Sequence, residues 1–121
     1  MKLTRQRRMR QWGEFQDVRK KGQSTGGKYL VIGQLQDTSF IGRRFGFITS
    51  KKAGKAVTRN LLRRRFREII RKHGDHLPPD LMLVTIARWR ASQATFQELE
   101  ADWLKTVKRL KIWNELPIDP S

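Results

Sequence analysis

The residues with the most chemical consequence lie between positions 51 and 72. Ten Lys and Arg residues there accompany one acid, Glu68. The pattern predicts a helix over Ala56–His73. At about 100° per residue, that helix sets Asn60, Arg63, Arg64, Arg67 and Arg71 within an arc of roughly 100°. Leu61, Leu62, Phe66, Ile69 and Ile70 are expected on the other, buried side. Like charges at this spacing repel by a few tenths of a kcal/mol per pair. The apolar face must therefore stabilise the helix, and an external anion best explains the ladder. Lys51, Lys52 and Lys55 precede the helix start, where free N–H groups also favour phosphate. Arg binds phosphate bidentately and stacks on bases, which suits RNA. The chemistry offered is recognition of a polyanion.

Residue sets that could make or break bonds are poorly formed. The sequence has no Cys, which excludes disulfides, thiolate zinc sites and a Cys nucleophile. His73 and His76 stand in a Gly/Asp/Pro turn, a poor spacing for a metal pair, and read as surface histidines. Asp75, Asp80, Glu98, Glu100 and Asp102 form no evident two-metal cluster; capping and solvation account for Glu98 and Asp102. Lys51-Lys-Ala-Gly54-Lys55 is not a phosphate-binding P-loop, because Thr49 and Ala56 occupy positions that need Gly and Ser/Thr. Arg43–Ile48 is similar to a strand of the RNA-recognition motif, but the segment before it leaves no room for the intervening helix. Phe45 and Phe47 are therefore expected to face the core. Trp89, near a strand end, could stack on RNA, whereas Trp103 reads as core.

These residues need a scaffold, and the composition allows one. The chain has 121 residues, 37% of them hydrophobic, enough for one modest core. It carries 27 Lys+Arg against 11 Asp+Glu, a formal net charge of +16. The excess is local: residues 38–67 contain no acid, whereas residues 96–121 hold five acids and four bases. No run approaches a membrane span and no apolar segment follows the basic start, so neither a membrane nor a signal peptide is expected. A reducing cytoplasm is the expected location.

One RNA-binding domain, residues 1–121, is expected, with a basic mobile arm over residues 1–8 and a tail over residues 114–121. A short helix is expected to end near Lys21, with Met9, Trp12, Phe15 and Val18 on one side. Gln23–Gly27 reads as a Gly/Ser/Thr loop. Strands are expected at Lys28–Gln36, Arg44–Ser50 and Leu81–Ala87. Gly74 is a plausible left-handed residue just past the central helix. A last helix is expected from Ser92 or Thr95 to Ile112, with Thr95-Phe-Gln-Glu98 as a capping box. Phe96, Leu99, Trp103, Val107 and Leu110 form its buried stripe. The order suggests a layered α/β domain, with helices packed on a small sheet.

The run Ser50-Lys-Lys-Ala-Gly-Lys-Ala-Val-Thr-Arg-Asn-Leu-Leu-Arg-Arg-Arg-Phe-Arg-Glu68 strongly resembles the signature of the bacterial ribonuclease P protein family. Glu14-Phe15, Val18 and Gly22, Asp80 to Arg88, and Thr95 to Leu99 extend the resemblance over most of the chain. It implies an α/β (α+β) two-layer sandwich: a four-stranded sheet, three helices and a left-handed βαβ crossover, similar to domain 2 of ribosomal protein S5. The fourth strand comes from the resemblance alone. It also implies a subunit of a ribonucleoprotein that removes the 5′ leader of precursor tRNA. Catalysis there belongs to the RNA, with Mg²⁺ bound mainly by RNA, no organic cofactor, no catalytic residue in this chain and no obligate protein partner. Lys51, Lys52, Lys55, Arg59, Asn60, Arg63, Arg64, Arg67 and Arg71 would meet the catalytic RNA. Phe15, Arg19 and Val31 would line the leader cleft, although Phe15 suits an ordinary core equally well. Arg19 and Gly33 stand where the family can have aromatic residues, and Leu61 where it often has Arg. A structural RNA binder such as a ribosomal protein is the alternative; a protein-only nuclease would need a carboxylate cluster or His pair.

Overall fold

The computed structural model describes residues 1–4, 7–9, 12–36 and 42–118. Three helices and four strands follow in the order α1 (Trp12–Lys21), β1 (Gln23–Gly26), β2 (Leu30–Gln36), β3 (Arg44–Ile48), α2 (Ala56–His73), β4 (Leu81–Ala87) and α3 (Phe96–Arg109). The sheet order is β1-β2-β4-β3. β4 pairs antiparallel with β2 and parallel with β3, so α2 forms the crossover between parallel neighbours. The mostly apolar sequence of β4 suits this central place, buried on both faces.

Alternation along the strands divides the molecule into two cores. Leu30, Ile32, Phe45, Leu81 and Leu83 point to the face covered by α2 and α3. Phe47 packs there as well, stacked 6.4 Å from Phe66, so both strand phenylalanines face the core as expected. Met82 and Val84 point the other way, where they meet Met9 and Val18. α2 and α3 thus cover one face, while α1, with Met9 beside it, covers part of the other.

Four local expectations are corrected. Gln23–Gly26 is an edge strand rather than a loop, paired antiparallel with Val31–Gln34. Gln-Ser-Thr-Gly has no apolar alternation, so only main-chain pairing identifies it. β3 stops at Ile48, and the strand expected from Lys28 begins at Leu30. Gly74 has a φ of −61° and is no left-handed cap. The Met1 side chain lies where a Cβ would stand. Ser92 lies in a short 3₁₀ turn, Trp89–Gln93, and Thr95 alone caps α3. The Glu98 amide donates to Thr95 Oγ1 at 3.1 Å, and the Thr95 amide donates to Glu98 Oε1 at 2.9 Å.

Both ends of the described chain are tied down. The Met9 amide donates to the Phe45 carbonyl at 2.8 Å, laying residues 7–9 along the free edge of β3. Met1 and Leu3 pack on the main core. At the other end, the amides of Asn114 and Ile118 donate to His76 and Asp75 carbonyls. Buried Arg43 donates to the carbonyl oxygens of Leu77 at 2.8 Å and Ile118 at 2.7 Å. This returning segment also changes the histidines. His76 stacks on Trp113 at 4.3 Å, and His73 is half-buried between Trp103 and Trp113. They are packing residues, brought into place by a chain return that sequence spacing could not show.

Candidate nucleic-acid interface

α1 leaves a cleft of about 380 Å³ between itself and the sheet. Trp12, Phe15, Gln16 and Arg19 form the helix wall, and Val31, Gly33, Ile48 and Ile86 form most of the floor. The apolar side of α1 holds it in place through Val18, while Arg44 pairs with Glu14 at 3.1 Å. Close approach depends on two glycines. A Cβ on Gly33 would stand 3.2 Å from Val18 Cγ1, and one on Gly46 only 2.5 Å from Phe15 Cε1. Phe15, Arg19 and Val31, far apart in sequence, are therefore brought to one groove. Phe15 both packs on the small core and lines the groove.

Trp12, expected on one side of α1 with Met9, Phe15 and Val18, is 70% exposed at the cleft. A spacing of three falls about 60° short of a full turn at each step, so the stripe rotates off the sheet. Trp12 is a cleft residue not named among the expected site residues; its place on one side of the helix with Phe15 was the available signal.

The second basic element lies on the other face of the sheet. Exposed Lys51 and Lys52 occupy a short 3₁₀ turn, and Gly54, at φ +130°, turns the chain into α2. Lys55 is the N-cap and provides no side-chain cap, leaving the first amides of α2 without that partner. Arg63 donates to Thr49 Oγ1 at 3.0 Å and to Asn60 Oδ1. These bonds fix it at the end of β3. Arg67 lies half-buried nearby, and the buried Nε atoms of Arg59 and Arg67 have no hydrogen-bond partner. Burial, then the charges of Arg8 and Arg63, push the Arg67 pKa down. Arg67 nevertheless stays protonated, as arginines in proteins do. The charges of Arg8 and Arg63 thus converge on Arg67, which concentrates positive potential at the end of β3. Arg8 reaches it from the strand-like N-terminal segment, an addition that helical periodicity could not reveal.

Two members of the expected pattern differ. Arg71 is paired with Glu68 at 2.6 Å, which lowers the Glu68 pKa and raises that of Arg71. The ladder is thus neutralised at its C-terminal end. Leu61 is 40% exposed rather than buried. It shares a line with exposed Val57, four residues earlier, on the solvent side of α2. Arg64 is exposed, while Arg65 turns away to donate to the Ala94 carbonyl at 3.0 Å.

The Ribonuclease P family model matches residues 3–111. The chain belongs to the ribonuclease P protein family. Among its relatives, the Ribonuclease P protein component of Clostridioides difficile is 37% identical over 113 residues, 93% of this chain and 98% of the relative. That of Syntrophomonas wolfei is 32% identical over 107 residues, 88% of this chain and 89% of the relative. The structure is similar to the Staphylococcus aureus RNase P protein, with a TM-score of 0.82 and 29% identity over 89% of this chain and 98% of that one. The Thermotoga maritima RNase P protein gives a TM-score of 0.75 and 29% identity over 84% and 96%. The chain is accordingly a subunit of ribonuclease P, the endoribonuclease ribonucleoprotein of tRNA processing, and associates with its RNA. Among the described residues, no helix is long and apolar enough to cross a membrane.

Proposed function

We propose that two separate surfaces hold two RNAs. The α2 ladder and the loop before it, through Lys51, Lys52, Lys55, Arg59, Asn60, Arg63, Arg64 and Arg67, would hold the catalytic RNA. The cleft under α1 would hold the 5′ leader of precursor tRNA. The observation that carries this reading is the separation of the two surfaces: a phosphate-attracting ladder on one face of the sheet and a narrow, mostly apolar groove on the other. In the groove, Phe15 and Val31 would contact bases, Arg19 a phosphate, and Trp12 would supply a stacking surface. Arg71 contributes less than its neighbours because Glu68 shares its charge.

Among the described residues, no three His, Cys, Asp or Glu side chains are grouped to hold a metal ion. The residues do not fit a protein Mg²⁺ site, and the proposal derives no step through one. The protein's part is to screen phosphate repulsion and position the substrate, lowering the Mg²⁺ demand of an RNA-borne active site. Action on precursor tRNA implies the cytoplasm. A purely structural RNA binder would share the ladder but have no use for the cleft.

The test is reconstitution with ribonuclease P RNA and precursor tRNA at low Mg²⁺. Leader release should be faster than with RNA alone. Phe15→Ala should weaken precursor binding while leaving mature tRNA binding unchanged. Equal loss for both tRNAs would remove the leader from the cleft.

A further inference from the structure

A second cavity, of about 450 Å³, lies at the end of the sheet where β4 finishes. Lys28, Ser50, Lys52, Arg88, Trp89 and Arg90 line it. The amide of Arg88 donates to the Tyr29 carbonyl at 2.9 Å, which prolongs the β2–β4 pairing by one step. Gly26 leaves room for the Arg88 guanidinium, with which a Cβ there would collide. The 3₁₀ turn over Trp89–Gln93 then places Trp89 at the surface, 56% exposed. Arg90 lies over its ring, 5.0 Å from the centroid.

No acid lines this cavity. Lys52, Arg88 and Arg90 have no acidic partner among the described residues. Lys28 lies 5.2 Å from the Tyr29 ring centroid, and Glu98 is the acid near it. Lys52 and Arg88, without acidic partners, beside an indole with Arg90 over one face of its ring, offer the chemistry of a nucleotide site: cations for the phosphate, an aromatic face for the base. Position gives the second argument. Ile86 and Ile48 line the leader cleft, whereas Arg88 and Ser50 line this cavity. Two residues of strand span about 7 Å, close to the length of one nucleotide of extended RNA.

We propose that this cavity binds one unpaired nucleotide, with its phosphate against Lys52 and Arg88 and its base on Trp89. The inference rests on the RNA-binding role proposed above. The nucleotide could belong to the leader as it passes beyond the cleft or to an unpaired part of the catalytic RNA. The chemistry is the same, and the experiment separates the sources.

The protein, wild type or carrying Trp89→Ala or Trp89→Phe, is titrated in two arms. In the first, the reconstituted holoenzyme is titrated with precursor tRNAs of increasing leader length. In the second, the protein alone is titrated with ribonuclease P RNA. Trp89→Ala should weaken binding about tenfold in one arm, the usual worth of a stacked base, and Trp89→Phe should restore most of it. A loss confined to longer leaders assigns the nucleotide to the leader; a loss in the second arm assigns it to the catalytic RNA. Affinities within twofold of wild type in both arms, or equal losses for Phe and Ala, would overturn the proposal. If the wild-type holoenzyme shows no leader dependence, the leader assignment of the main cleft fails, and the second arm still decides this cavity.

Discussion

α2 and α3 pack side by side on one face of the sheet, yet they treat charge and capping in opposite ways. α3 has a complete capping box, and its acids are engaged within the fold. Glu98 also accepts from the Tyr29 hydroxyl at 3.1 Å. Glu100 lies 2.8 Å from Lys72, and Asp102 accepts the amides of Lys28 and Tyr29, bracing the turn before β2. α2 has no side-chain cap, no acid in its first turn and two arginines, Arg63 and Arg67, crowded beside β3 together with Arg8 of the N-terminal segment. The helix that follows every local rule serves the fold. The one that breaks them is the helix to which the proposed function gives the catalytic RNA, and such departures are common at binding sites.

The largest expected effect separates the two helices directly. Arg63→Ala with Arg67→Ala should weaken association with ribonuclease P RNA by about 10- to 100-fold and reduce the salt slope by about two. Lys105→Ala with Lys108→Ala on α3 removes the same charge and should leave affinity within about twofold. Equal losses in filter-binding titrations over a salt series would break the contrast.

Arg43 sharpens the distinction, since it is an arginine used as the acids of α3 are. Arg43→Ala removes the donor to the Leu77 and Ile118 carbonyls and should destabilise the fold by roughly 3 kcal/mol. Urea unfolding checks this, with RNA affinity preserved wherever the variant is folded. A fully stable variant would show that the returning segment does not need its clamp.

Capping offers a finer comparison. Thr95→Ala should cost about 1 kcal/mol. Lys55→Asp places a cap and a favourable charge at the start of α2 and should add about 1 kcal/mol. It should also weaken RNA binding. Calorimetry paired with RNA titration measures both, and a stabilised variant that binds RNA better would contradict the functional account of the bare helix start.

The smallest effect is on pH. Hydrogen bonding from the Thr95 amide lowers the Glu98 pKa, and bonding to Lys72 lowers that of Glu100. Their stabilising contributions are present above the unfolded carboxylate pKa of about 4.3 and are lost as pH falls through the lower folded values. Melting temperatures from pH 6 to 3 should decline less steeply for Glu98→Gln than for the wild type. Parallel curves would remove Glu98 from the acid response.

Helix periodicity and capping chemistry are local, so α2 and the Thr95 box were readable from the sequence. β4 was readable because a long apolar run between breakers has few other uses. The Gln23–Gly26 strand was not, since its information lies in main-chain bonds. Nor was Arg8 in the arginine cluster, or Asp102 beneath a turn some 70 residues earlier, because both depend on tertiary neighbours. The likeness of the Ser50–Glu68 run to a known family led to the cleft residues; periodicity alone set Trp12 and Phe15 on one side of α1 without showing the groove.

Gly46 has a consequence for how this surface can change. With Phe15 Cε1 only 2.5 Å from where a Cβ would stand, its missing methyl works as a spacer gauge for the channel beneath α1. In Gly46→Ala the added carbon would meet the ring of Phe15, a lining residue, and the ring must shift away from the strand. Channel width is thus set from behind the wall, so its calibre could be altered while the residues that face its occupant stay the same.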